Sequence, residues 1–203
     1  MQLPRLHPLC KMNPSEELLN KCRGDNRKAH YELYKMCFSF IVAVCSRYYV
    51  NSEDRMAALN MIFVKMIKNI HLYIRKKDNV PFDLWVRKIS VNYIIDEFRK
   101  NKKYKEIIDL KEFQLDDHLY YSDDPITVKI NTEEIKLAIA TLPEMNRTVF
   151  NLYVIDGYKH EEIADMLGIS SNTSKVHLHR AKNKLREALK DVSKKESGLK
   201  IIW

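Results

Sequence analysis

Apolar side chains in this chain recur at three- and four-residue intervals, and the stretches that carry this rhythm predict helices. The clearest pair lies between 160 and 189. "HEEIADML" places Ile163, Ala164 and Leu167 at i, i+1, i+4 spacing, Gly168 supplies the left-handed residue that ends such a helix, and Ser170 can cap the next. In that next helix, at about 100° per residue from Thr173, the side chains of Leu178, Ala181, Leu185 and Leu189 lie between about 80° and 160° and predict a buried face. Thr173, His177, Arg180 and Lys184 gather within about 60° on another side, a polar stripe left to solvent or a partner.

The same counting works upstream. A helix from about 54 to 70 puts Met56, Leu59, Phe63, Met66, Ile67 and Ile70 on an arc of about 100°, the expected core stripe. Ala57, Met61 and Val64 fall on another face beside Lys68, apolar surface with no evident partner inside a domain of three or four helices. Protein docking is one reading of that face and burial under the N-terminal helix the other. In the following helix Lys88, Asn92 and Arg99 lie within about 40° of one another, with Trp85, Ile89 and Tyr93 a step around the wheel. Cations neutralise phosphates and an aromatic ring can replace the stacking partner lost by an unpaired base, so this face suits opened DNA; Trp85 and Tyr93 as plain core is the alternative.

Composition narrows the class. Four Gly and six Pro in 203 residues are too few turns for many short strands, so the fold is expected to be all-α. Lys and Arg number 35 against 27 Asp and Glu, a net +8 that favours polyanionic partners. Charge is also segmented: residues 87–105 carry a net +5, 106–128 a net −6 with no sustained helical period, and 171–195 a net +6. The expected organisation is two small helical domains, 15–103 and 131–191, joined by a flexible acidic linker over 104–130. No internal repeat is evident, and residues 1–14 and the tail "KKESGLKIIW" are expected to be frayed or adventitiously docked.

Several function classes drop out. Cys10, Cys22, Cys37 and Cys45 form no CxxC and have no His at zinc-ligand spacing, which reads as reduced, partly buried thiols with no metal site. "MQLPRLHPLCKMNP" lacks the apolar core of a signal peptide, no apolar run approaches the ~18 residues of a membrane span, and a cytoplasmic protein is expected. No paired carboxylates, nucleophile with its base, or phosphate-cradling Gly loop emerges, so neither catalytic residues nor a cofactor is expected. What remains is the pair of helices around Gly168, a helix-turn-helix pattern that puts its second helix in the DNA major groove. An ordinary helical hairpin with a solvated cationic face is the competing reading. Small polar residues at the start of the second helix, Thr173, Ser174 and His177, let the backbone approach bases and argue for DNA.

These residues carry a resemblance. "LPEMNRTVFNLYVIDGYKHEEIADMLGISSNTSKVHLHRAKNKLREAL" resembles region 4 of bacterial sigma-70-type initiation factors, specifically the extracytoplasmic-function group. The resemblance implies contact with the minus-thirty-five promoter element through Ser171, Asn172, Thr173, Ser174, Lys175, His177, Arg180 and Lys184. "PFDLWVRKISVNYIIDEFRKNKK" resembles the region 2 helix that melts and reads the minus-ten element, and "HLYIRKKDNV" matches the loop that captures a flipped base there. Tyr73, Lys76, Asn79, Trp85, Lys88, Asn92, Arg99 and Lys100 are thus the implied minus-ten contacts. "FVKMIKNI" resembles the polymerase-binding helix, implying a docking face of Ala57, Asn60, Met61, Val64 and Lys68.

Two departures limit the transfer. The family usually has an acidic residue or Gln just before the Phe of the polymerase-binding helix, where this chain reads Leu59, Asn60, Met61, Ile62. "NTSKVH" also differs from commoner versions, so promoter sequence does not carry over. The implied partners are core RNA polymerase, promoter DNA and an anti-sigma factor, with the protein at the nucleoid when bound to polymerase; linkers of the family thread polymerase channels built for nucleic acid. A free-standing repressor or activator using 131–191 on a two-fold symmetric site is the alternative, and a scaffold that merely binds polymerase a third reading.

Overall fold

The computed structural model describes residues 12–73, 80–100 and 132–195, and every regular element among them is helical. The chain divides into two compact units at Phe98, near the end of the helix Phe82–Lys100 that closes the first.

The first unit holds α1 (Glu16–Arg23), α2 (Arg27–Cys45), α3 (Ser52–Lys68), a 3-10 turn at Ile70–Leu72 and α4 (Phe82–Lys100). Each of the first three starts on a side-chain cap that satisfies an otherwise orphaned backbone N–H. Leu18 N–H donates to Ser15 Oγ at 3.1 Å, Ala29 N–H to Asn26 Oδ1 at 3.1 Å and Glu53 N–H to Asn51 Oδ1 at 2.9 Å. Glu16 and Glu17 begin α1 and Lys21 and Arg23 end it, each charge matched to the local sign of the helix dipole. Asp25, at φ 57°, makes the left-handed step between α1 and α2. The core is built from Leu18 and Leu19, the α2 stripe Leu33, Cys37, Phe40, Ile41 and Val44, and inward-facing residues of α3 and α4. Burial pushes the Cys37 and Cys45 thiols up to about 12, which keeps both protonated and inert as nucleophiles or ligands.

In α3 the buried stripe differs from the expected one. Ala58, Leu59, Ile62 and Met66 are buried, whereas Met56 is 40% exposed and Phe63 and Ile67 are only half-buried. The true core arc is rotated by about 70° from the hydrophobicity-weighted guess. Phe63, on the flank of the buried arc, meets Tyr34 of α2 edge-on at 5.0 Å.

The second unit contains α5 (Thr132–Ala140), α6 (Glu144–Phe150) running into a π-helical turn at Asn151–Ile155, α7 (His160–Leu167) and α8 (Ser171–Lys195). Arg147 of α6 is 9% exposed and donates through Nη1 to the carbonyls of Ala140 and Leu142, both at 3.2 Å, so one guanidinium occupies acceptors left open where α5 ends. Gly168, at φ 66° and ψ 36°, closes α7 in the left-handed conformation, with its N–H on the Ala164 carbonyl. Ile163, Leu167, Leu178, Ala181, Leu185 and Leu189 bury against α6 and the π turn, as the helical wheel predicts for the last four. Among the described residues no helix is long and apolar enough to cross a membrane.

Candidate nucleic-acid interface

The sequence places α8 by three local devices. Thr173 N–H donates to Ser170 Oγ at 3.0 Å, and the two hydroxyls lie 2.8 Å apart, so the helix starts on a closed Ser–Thr cap. The Glu162 carboxylate takes the Lys159 N–H at 2.7 Å and fixes the start of α7 ahead of it. Gly168 sets the turn between them. The leucine arc then seats α8 against α6 and α7, which leaves the opposite side of the helix outermost.

Of the residues expected to touch the upstream element, Asn172, Arg180 and Lys184 are exposed, and Ser171, Thr173, Lys175 and His177 are half-buried. Ser174 is not on this face. It is fully buried, with its Oγ 2.9 Å from His160 Nδ1, and it fastens α8 to the first residue of α7. The wheel already held that answer, because Ser174 falls at about 100° from Thr173, in the middle of the leucine arc. His160 in turn stacks on Tyr153 of the π turn, ring centres 4.4 Å apart. Burial, with Lys175 and Lys182 nearby, lowers its pKa.

His177 lies at the border between stripe and core. Its Nδ1 is 2.8 Å from Oδ1 of Asn146 on α6. Burial first, and Arg180 second, depress its pKa from 6.5 to about 4, so the ring is neutral at pH 7. An open cleft of about 550 Å³ runs along this border, with Pro143 and Asn146 on one wall and His177, Arg180 and Lys184 on the other. Asn146, Arg147 and the His160–Ser174 pair were not anticipated as supports for this surface. Only Ser174 left a signal in the sequence, since the others depend on which helices meet.

The first unit presents a second basic face. Lys88, Asn92, Arg99 and Lys100 of α4 are exposed. Trp85 is half-buried, its ring centre 5.2 Å from that of Tyr73 and 5.6 Å from that of Phe82. Tyr93 is buried and belongs to the core, with Lys65 Nζ 5.1 Å above its ring. Tyr73 also departs from expectation as a DNA contact. It is 3% exposed, meets Phe82 edge-on at 5.1 Å, donates its hydroxyl to the Val80 carbonyl at 3.2 Å, and receives Arg23 Nη2 on its own carbonyl at 2.7 Å. An aromatic residue beside two other large rings buries more apolar area than it can by facing water, and its hydroxyl finds a backbone acceptor. Tyr73 thereby ties residue 73 to residue 80. Lys76 and Asn79 lie outside the described residues, as does the acidic stretch 104–130.

On α3, Ala57, Asn60, Met61, Val64 and Lys68 are all exposed, with Met61 and Val64 at 49% and 43%. Tyr34 Oη donates to Asn60 Oδ1 at 3.4 Å, and Lys65 pairs with Asp96 at 3.4 Å, so the flanks of this face are anchored to α2 and α4. Among the described residues no group of three or more His, Cys, Asp or Glu side chains is placed to hold a metal ion.

Comparison with known proteins identifies the family. Residues 132–185 match the family described as Sigma-70, region 4. The chain is 31% identical over 134 residues to RNA polymerase sigma factor SigZ of Bacillus subtilis (strain 168), an alignment covering 64% of this chain and 70% of that protein. It is 28% identical over 161 residues to ECF RNA polymerase sigma factor SigW of the same organism, covering 75% and 84%. With RNA polymerase sigma factor SigV, also from that organism, it shares 26% identity over 180 residues, covering 87% and 93%.

Proposed function

Because this chain belongs to the sigma-70 family of RNA polymerase sigma factors, in its extracytoplasmic-function group, we propose how its two units divide the work of promoter recognition. The protein binds core RNA polymerase and directs promoter-specific transcription initiation. Residues 131–191 act as region 4 and hold the minus-thirty-five element as duplex, through Asn172, Arg180 and Lys184 with Ser171, Thr173, Lys175 and His177 beside them. Residues 15–103 act as region 2, where Lys88, Asn92, Arg99 and Lys100 carry the phosphates of the minus-ten element and Trp85 stacks on an opened base. Lys76 and Asn79 join them as minus-ten contacts. The α3 face of Ala57, Asn60, Met61, Val64 and Lys68 docks on polymerase, and residues 104–130 connect the two units. An anti-sigma factor is the expected antagonist. The protein has no covalent chemistry of its own and works in the cytoplasm, at the nucleoid once polymerase is bound.

The observation that carries this reading is the coincidence of the region 4 match with the unit whose helix-turn-helix keeps Arg180 and Lys184 exposed opposite a continuous buried arc. The test is reconstitution with core RNA polymerase of the parent bacterium. Co-elution and initiation dependent on two unlike promoter elements are expected, with poor DNA binding by the chain alone. Tight, specific binding of a two-fold symmetric duplex without polymerase, and no initiation with it, would replace the sigma reading with that of a free-standing regulator.

A further inference from the structure

The reading stripe of α8 is short of acceptors. Arg180 and Lys184 are donors only, and the Thr173 hydroxyl is engaged with Ser170. His177 differs from both cations. Asn146, 7% exposed, faces Nδ1 with its amide oxygen at 2.8 Å, and an amide oxygen only accepts. Nδ1 therefore carries the ring proton and Nε2 the lone pair, on a ring that lines the cleft together with Arg180 and Lys184.

We propose, resting on the function above, that His177 is an acceptor-only base reader. Locked by Asn146, it presents Nε2 to the upstream duplex and selects a base with an exocyclic amine, adenine or cytosine, over guanine or thymine on the strand it faces. The major-groove chemistry is asymmetric in the required way: adenine N6 and cytosine N4 donate, whereas guanine O6 and thymine O4 accept and would meet Nε2 lone pair to lone pair. Asn146 is a positioning residue, since it touches no DNA and acts by fixing which nitrogen holds the proton. The ring keeps this role across the physiological range because burial and Arg180 hold it neutral down to about pH 4.

The test uses the complete chain in holoenzyme with core polymerase, measuring initiation from templates that carry each of the four bases at every position of the upstream element. One position is expected at which adenine and cytosine both exceed guanine and thymine, by roughly 5- to 100-fold. His177→Gln, whose amide both donates and accepts, flattens that position and leaves the others unchanged. Asn146→Leu flattens it too; because Asn146 is buried, ring nitrogen-15 spectra of the full chain accompany it, with Nε2 unprotonated in the parent chain and mixed tautomers in the variant. A preference for guanine and thymine, an amine preference that survives His177→Gln, or a protonated Nε2 in the parent chain overturns the proposal while the sigma reading stands. Initiation indifferent to the whole upstream element would instead sink the function on which it rests.

Discussion

The second unit holds the helix proposed to read duplex DNA with paired polar side chains, while the helix proposed to meet opened DNA in the first carries stacked rings. In α8, Ser174 meets His160 and His177 meets Asn146, two bonds under 3 Å that fix both the height and the rotation of the helix on its leucine arc. In α4, Trp85 leans on Tyr73 and Phe82, the looser Lys65–Asp96 pair at 3.4 Å ties the helix to α3, and Lys88, Asn92 and Arg99 are exposed. Directional bonds suit a helix that must enter a preformed major groove in one register. Ring contacts have broad minima, so a half-buried Trp85 can keep its neighbours and still offer an edge or face to a base leaving the stack. The difference fits the duplex readout proposed for one unit and the capture of unpaired DNA proposed for the other.

The comparison breaks first at the cores. Ile62→Ala in α3 and Leu185→Ala in α8 each remove a side chain with no more than 1% exposure, and each is expected to cost about 2–5 kcal/mol in urea unfolding. Met56→Ala, at 40% exposure on α3, is expected within about 0.5 kcal/mol of the parent chain. A large loss at Met56 with a small one at Ile62 would restore the original arc and refute the rotated stripe.

Function separates the units next. Trp85→Ala is expected to weaken open-complex formation by about 1–3 kcal/mol while binding of the upstream duplex by holoenzyme is retained. Arg180→Ala is expected to do the reverse, lowering duplex retention with a shallower salt dependence. Equal losses in both assays from both variants would erase the proposed division of labour.

The last expected effect is acid sensitivity of the second unit. His177 has a folded value of about 4 against an ordinary 6.5, and burial lowers His160 in the same direction. Above about pH 6.5 both states are neutral and the full stability is present; as pH falls from there to about 4, the unfolded chain takes up protons that the folded chain refuses, and stability declines. Urea midpoints at pH 7.5 and 5 measure the decline, and His177→Gln should reduce it. An unchanged decline in that variant would show that His177 is not a source of it.

The all-α class, the helix-turn-helix, its Gly168 and Ser170 punctuation and the leucine arc of α8 were legible because they depend on contacts within a few residues, where spacing and capping chemistry decide. The α3 arc was misjudged because hydrophobicity cannot say which side a neighbouring helix will cover; Ile62 and Phe63 are equally apolar, and the meeting with Tyr34 assigned their sides. Tyr73 and Ser174 read as polar contacts in a string of letters. Their partners, Val80, Arg23 and His160, exist only once the helices are packed. Asn146 and His177 stand 31 positions apart, and no local rule couples them. The sequence by itself determined which segments are helical, where the charge lies and which family the chain resembles, since these rest on local propensity and composition. Only the tertiary structure decided which polar side chains reach outward and which nitrogen of His177 meets Asn146, because burial and long-range hydrogen bonding are properties of the packed chain.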